Sequence, residues 1–470
     1  MTWLLLTGAL AVWAAIMAVV IVLQRRSPAA TIAWLLVLSF LPVVGYLVYR
    51  LIGPLRLERR KLRRRATRKV IEEAYGTLSA IEHDSPQRHR EQLARVAFNA
   101  GEAPPLRATG LELYTEGDEA YAAITQAIEA ATHHVHVEYY IWEADQVGTR
   151  LRDLLVACRK RGLEVRVIVD GTGSRGAHGT FFEPLVAAGA EVSWFNPVSL
   201  FRIRPRRVDF RSHRKIVVCD GRVGFTGGMN VSDAHSRERA GDAAWRDTHM
   251  RFEGSAVRAL QRVFVEDWLY CTEKMLVGEQ YFPAPESAAG EIVQIVASGP
   301  DLAQFAIQKM YFAAISQAAE RIQLTTPYFV PDDAILSSLV CAALRGVDVR
   351  LIVPAKGDSR LVDLAARSYF PELLEAGAHI YEYKPRFVHA KTLVVDDDLA
   401  IVGTANCDNR SFRLDFEVAA VVYGHTMNKC LADAFTADLD HSVEYRLSPG
   451  KVKFRTRLGQ AGARLLSPLL

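Results

Sequence analysis

HRKIVVCDGRVGFTGGMN (residues 213–230) and HAKTLVVDDDLAIVGTAN (residues 389–406) are one eighteen-residue formula, H-x-K-x4-D-x6-G-x2-N, written twice in the same chain. His213 and Lys215 stand two apart in a β-branched run. On a strand both side chains therefore leave one face while Arg214 leaves the other, and His389 and Lys391 repeat the arrangement. Four residues carry each strand to an acidic turn, Asp220-Gly221 in the first copy and Asp396-Asp397-Asp398 in the second. The chain then returns as a second apolar strand to Gly227-Gly228 or Gly403-Thr404. Asn230 and Asn406 come back beside the His–Lys ends, so each hairpin offers an imidazole, an ammonium and an amide together.

The repetition extends beyond the hairpins. Residues 134–145 (HVHVEYYIWEAD) are echoed by 321–333 (RIQLTTPYFVPDD), and 161–171 (RGLEVRVIVDG) by 345–355 (RGVDVRLIVPA). Periodicity predicts a helix over 121–132, a strand over 133–141, a helix over 147–161 and a strand over 163–170, which is the rhythm of strands joined by helical crossovers. The expected architecture is α/β, with two α-β-α domains related by a pseudo-two-fold axis at 111–285 and 286–470. The linker between them is placed at 278–290, where Pro, Gly and Ser cluster.

With 470 residues and 50% hydrophobic composition, the chain can build two cores and still leave apolar segments over. Its six cysteines are scattered without a C-x2-C pair, which points to a reducing compartment and to neither a disulfide framework nor a zinc site. Residues 3–23 and 29–49 are uncharged and long enough to cross a hydrocarbon core, so 1–52 is expected to be a transmembrane hairpin. Residues 53–70 carry nine basic side chains and one acidic, against Arg25 and Arg26 between the spans. The positive-inside rule then puts everything after the hairpin in the cytoplasm, and a basic block there attracts anionic headgroups. The rest of 53–110 is expected to be a polar, helix-prone segment without chemistry. His133, His134 and His136 alternate along a strand and are expected in its packing, without the carboxylate or cysteine company of a metal site. Residues 451–470 mix basic and apolar residues at helical spacing, as a helix lying on a bilayer does.

Two such hairpins facing one another place two imidazoles and two ammoniums around one point, a constellation suited to a phosphodiester. Lys215, Lys391, Asn230 and Asn406 are expected to hold and neutralise the anionic oxygens. One neutral imidazole can attack phosphorus while the other, protonated, supplies the leaving alkoxide with its proton. One histidine cannot do both at once, which explains why the formula appears twice. The two lysines supply the positive charge a divalent ion would otherwise bring, so no metal or other cofactor is expected.

These residues resemble the double HKD motif of the phospholipase D superfamily over the chain after about residue 110. More narrowly, RRSPAATIAWLLVL, HRKIVV, GGMN, SGPD, TTPYFVPDD and RLLSPLL resemble the bacterial cardiolipin synthases. The resemblance implies a phosphatidyltransferase of the bacterial inner membrane, multi-pass, that joins two phosphatidylglycerol molecules and releases glycerol. It makes His213 the nucleophile and His389 the general acid. It also places Asp247 and Glu417 as carboxylates that hydrogen-bond each motif's own histidine. Asp220 and Asp396 belong to the catalytic motif but, at a turn, are expected to hold the loop. Thr404 stands where serine is common in the family and Gly228 at the same place in the first copy, so the half-sites should bond the phosphate differently. The implied partners are phosphatidylglycerol and an anionic lipid surface, without nucleic acid; an oligomer is left open. The competing readings are a phospholipase D hydrolase and a membrane-tethered nuclease.

Overall fold

The computed structural model describes residues 2–24, 28–53, 90–101, 103–197, 209–276, 278–284, 289–301, 304–447 and 454–470. The basic run after residue 53, Arg25 and Arg26, and part of the expected linker lie outside the described residues. The chain divides into two units, Met1–Arg60 with Val198–Asp209, and Lys61–Pro197 with Phe210–Leu470.

In the first unit an uncharged helix runs over Thr2–Val22. The second apolar run is two helices, Pro28–Phe40 and Pro42–Ile52, where one continuous helix was expected. The break is at Leu41, whose φ of −131° leaves the helical region, and Pro42 starts the next helix at a position that needs no N–H partner. Tyr49 packs with Ile21 and Leu38, and its hydroxyl accepts from Gln24 Nε2 at 2.6 Å. Among the described residues no helix is long and apolar enough to cross a membrane, so the fold leaves the expected hairpin unshown.

The second unit is built on one sheet. Its first-half strands are β1 (Leu106–Tyr114), β2 (His134–Tyr139), β3 (Glu164–Asp170), β4 (Glu191–Phe195), β5 (Lys215–Cys219), β6 (Val223–Gly227) and β7 (His249–Glu253). The second half contributes β8 (Glu291–Ser298), β9 (Arg321–Thr325), β10 (Phe329–Val330), β11 (Asp348–Pro354), β12 (His379–Tyr383), β13 (Thr392–Val395) and β14 (Leu399–Gly403). It ends with β15 (Cys407–Asp408), β16 (Glu417–Tyr423) and β17 (Ser442–Glu444); β10 and β15 stand outside the main sheet and pair parallel with each other. The order β17-β12-β11-β9-β13-β14-β16-β8-β1-β7-β6-β5-β2-β3-β4 reads the same from both ends once the repeat is matched, apart from the extra edge strand β17. The pseudo-two-fold axis therefore passes between β8 and β1, which pair antiparallel through Leu106–Val293. Parallel pairing of β2 with β3 and β3 with β4 is matched by β9 with β11 and β11 with β12.

The crossover helices start and stop on local signals that the repeat preserves. Asp145 caps Gln146–Lys160 by accepting from the Gly148 N–H, and Asp332 caps Asp333–Leu344 by accepting from Ala334 and Ile335. Each helix ends at an Arg-Gly pair in which Gly162 (φ 93°) or Gly346 (φ 88°) takes the left-handed turn. Helices cover both faces of the central strands, so β5 is buried throughout instead of alternating. Val135, Val137 and Val217 face the Gln146–Lys160 side. His136 faces the opposite helix, Ser255–Thr272, stacking on Phe264 with ring centroids 4.5 Å apart and pairing with Gln261. The histidine run is thus strand packing, as expected, with His134 and His136 fully buried.

The stretch before residue 111 belongs to this architecture. Helix Glu91–Gly101 packs on β8 and on helix Ala306–Gln317, and the Gln294 amide donates to the carbonyls of Ala94 and Ala103. The tail forms helix Phe454–Leu465 against helix Arg360–Arg367. All six cysteines are free.

Candidate active site

Both hairpins form as expected. β5 pairs antiparallel with β6, and β13 with β14. Arg214 leaves the face opposite its neighbours and pairs with Asp267, while the His213 and Lys215 side chains are buried on the other face. The turn aspartates take φ of 54° and 52°. Asp220 accepts from the backbone N–H groups of Thr132, His133 and His134 at 2.8–2.9 Å, and Asp396 from those of Ala319, Glu320 and Arg321. They sit at the far ends of β5 and β13, five positions past each lysine and so roughly 16 Å from it at about 3.3 Å per residue. Asp220 and Asp396 thus tie each hairpin to the strand that flanks it, and the fold does not bring them to the imidazoles.

The sequence reading paired each histidine with its own motif's carboxylate, and the structure corrects this. His213 Nδ1 lies 3.0 and 3.1 Å from the two oxygens of Glu417, and His389 Nδ1 lies 2.6 Å from Asp247 Oδ2. The exchange has a backbone cause. Phe416 N donates to Arg211 O and His213 N to Phe416 O, both at 2.8 Å, docking the segment before His213 beside the one before Glu417. Arg246 N donates to Phe387 O at 2.9 Å and His389 N to Arg246 O at 2.6 Å, repeating the crossing on the other side. Each carboxylate thus accepts an Nδ1–H from the opposite half, leaving Nε2 of each imidazole as a free base.

The lysines turn inward beneath them. Lys215 Nζ donates to His213 O at 2.7 Å, and Lys391 Nζ to His389 O. Burial, with the charge of Lys391 acting in the same direction, pushes Lys215 down to about 7, while burial takes Lys391 down to about 8. Burial also lowers His213 to about 4, with Lys215 and Lys391 acting in the same direction. His389 is held well below the ordinary imidazole value by burial, Lys391, Lys215 and His213. The site therefore sets two neutral imidazoles, each on a carboxylate, beside two buried lysines whose charged forms burial disfavours. A bound phosphodiester anion stabilises the lysine charges and lets one imidazole take up a proton.

Gly228 and Thr404 were expected against phosphate, and both are found against the carboxylates instead. The Thr404 hydroxyl donates to Glu417 Oε2, and a Cβ at Gly228 would stand 2.0 Å from Asp247 Oδ1. Asn230 and Asn406 are buried, each with its carboxamide oxygen unpaired among the described residues.

The sequence reading missed three neighbours of His389. Trp245 and Phe387 lie with ring centroids 5.1 and 5.9 Å from it, and His235 at 5.6 Å. Their positions were legible as departures from the repeat, since the residues equivalent to Trp245 and Phe387 are Asp415 and Arg211. On the His213 side the nearest ring is Tyr140, at 4.8 Å, with Lys215 Nζ 5.4 Å from its centroid. Tyr139 is core.

Ligand atoms of His235, Asp247 and His389 lie within 4.8 Å of one another, the arrangement a metal ion would need. The chemistry does not fit one. Asn230 N donates to His235 Nε2 at 3.2 Å, so the His235 proton is on Nδ1, the atom that would have to ligate.

The fold, the paired halves and the doubled His–Lys sites define a phospholipase D-like α/β protein. The family model described as "Cardiolipin synthase, PLD-like domain" matches residues 124–268 and 311–439, and the model "Phospholipase_D-nuclease N-terminal" matches 9–54. A cardiolipin synthase of Geobacillus kaustophilus is 41% identical over 96% of this chain and 91% of its own length. Cardiolipin synthase 1 of Bacillus anthracis is 40% identical with the same coverage. A solved phosphatidylserine synthase of Haemophilus influenzae superposes with a TM-score of 0.61 at 14% identity, covering 81% of this chain and 100% of that one. The chain belongs to the cardiolipin synthase family.

Proposed function

We propose that this protein is a cardiolipin synthase that transfers the phosphatidyl group of one phosphatidylglycerol to a headgroup hydroxyl of a second. The observation that carries the reading is the pair of buried imidazoles, each backed by a carboxylate from the opposite half and flanked by a lysine. In the proposed cycle His213 Nε2 attacks phosphorus and the bond from phosphorus to the glycerol oxygen breaks. His389, protonated, gives its proton to the departing glycerol. The phosphatidyl group is then held on His213. Neutral His389 removes the proton of the second phosphatidylglycerol's hydroxyl, whose oxygen attacks phosphorus and frees His213. Two phosphatidylglycerols become cardiolipin and glycerol, with no net proton taken up. Lys215, Lys391 and the two asparagine amides offset the charge on the phosphoryl oxygens.

The apolar N-terminal segment is proposed as a membrane hairpin with both catalytic halves in the cytoplasm. The tail helix suits the same surface, with Phe454, Leu458 and Leu465 exposed beside Arg455 and Arg457. Division into a first half at 111–285 and a second at 286–470 follows the repeat and belongs to this proposal. Incubating detergent-solubilised protein with labelled phosphatidylglycerol tests the reading. Cardiolipin with equimolar glycerol is expected, whereas phosphatidic acid alone would make the protein a hydrolase.

A further inference from the structure

One of the two backbone crossings that choose the carboxylates also brings two rings together from opposite halves. Arg246 N donates to Phe387 O at 2.9 Å, and this sets Trp245 and Phe387 with ring centroids 5.0 Å apart, both rings half-buried. The imidazole of His389 lies 5.1 Å from the first and 5.9 Å from the second. Tyr328, also half-buried, continues the row 6.4 Å from Phe387, its hydroxyl donating to Asp358 at 2.7 Å.

On the His213 side the equivalent places hold Asp415 and Arg211, both buried. Asp415 Oδ2 accepts from Arg410 Nε at 3.1 Å, and its Oδ1 has no hydrogen-bond partner among the described residues. Arg211 donates to Asn196 O at 2.9 Å and lies 3.6 Å from Asp170. One histidine is thus edged by polar groups and the other by rings. The difference bears on what can wait at His389 Nε2. A water there uses one O–H on the imidazole and has a second that needs an acceptor. Neither ring provides one, since an indole offers only a donor and a phenyl ring no polar atom. A lipid alcohol has a single O–H and puts carbon where water has its second.

We propose that Trp245 and Phe387 wall the alcohol subsite and direct the phosphatidyl group to a lipid hydroxyl in preference to water. The inference rests on the cardiolipin synthase reading, with the phosphatidyl group on His213 and His389 as the base. With either acceptor the attacking O–H gives its proton to His389 Nε2 and its oxygen bonds phosphorus. The bond from phosphorus to His213 Nε2 breaks, and its electron pair returns to the imidazole. The lipid alcohol yields cardiolipin, and water yields phosphatidic acid. Water is far more concentrated than any headgroup hydroxyl, so a transferase needs such a bias.

The test incubates the full-length protein in detergent with labelled phosphatidylglycerol and reads the ratio of phosphatidic acid to cardiolipin. Both products come from one intermediate, so a variant that folds poorly makes less of each and leaves the ratio as it was. Trp245→Ala and, separately, Phe387→Ala open the wall to water and are expected to raise the ratio about 10-fold, the worth of one to two hydrogen bonds. Trp245→Phe keeps a ring, and Tyr140→Ala removes the ring beside His213 instead. Each should stay within about threefold of wild type, no more than a weak hydrogen bond is worth. An unchanged ratio in either variant that removes a ring beside His389 would overturn the proposal, as would an equal rise in Trp245→Phe or Tyr140→Ala. Failure of the underlying functional reading looks different, since wild-type protein would then make no cardiolipin from phosphatidylglycerol.

Discussion

A buried imidazole beside two ammonium groups does not hold a proton at neutral pH until an anion arrives, and the pH profile should show it. For a lysine lowered by burial the charged form is present below its folded value and lost as pH rises through it. With Lys215 at about 7 and Lys391 at about 8, kcat/KM for phosphatidylglycerol should fall across that interval, with apparent values belonging to the coupled pair. The acidic limb should lie near 4, where His213 stops being a free base, and not near the ordinary imidazole value. A profile flat to pH 10 would remove the lysines from phosphate binding. The histidines should also separate in a trapping experiment. His389→Ala should accumulate acid-labile phosphatidyl-enzyme from a donor with a good leaving group, and His213→Ala none. Mass spectrometry of the quenched protein reads both, and an adduct on His389 would reverse the roles.

Among the elements, the hairpins present the His–Lys pairs and the crossing segments beside them choose the carboxylates. Asp247→Asn should therefore resemble His389→Ala in the trapping assay, and Glu417→Gln should resemble His213→Ala, despite lying on the opposite repeats. Adduct yields that pair Asp247 with His213 would refute the crossing. The turns depend on contacts no local pattern announces. Arg90, 2% exposed, donates through Nη2 to Asp396 at 3.0 Å and to Asp398 at 2.7 Å, clamping the β13–β14 turn. Arg90→Ala leaves two buried carboxylates short of their counter-charge and should cost about 3–5 kcal/mol, read as a lower urea midpoint. A midpoint unchanged within error would mean that backbone donors suffice for Asp396.

At the scale of the whole molecule, nine basic residues after the apolar segment against two within it are the basis of the proposed cytoplasmic orientation. A reporter fused after residue 70 should be active only as a cytoplasmic fusion; activity confined to the periplasm would invert the topology. The sequence alone determined the α/β class, the doubled half, and the shared strand face of His213 with Lys215 and of His389 with Lys391. The first two follow from periodicity and from the repeat, and the last from a spacing of two residues, because a period of two assigns faces on a strand. Only the tertiary structure decided that His213 meets Glu417 across 204 residues and His389 meets Asp247 across 142. It also decided that Arg90 serves a turn 306 residues away, and that His235 stands behind Asp247. A repeat fixes what each half contains and carries no signal of which half supplies a partner. That choice is made by two short backbone crossings whose hydrogen bonds exist only once the halves have packed.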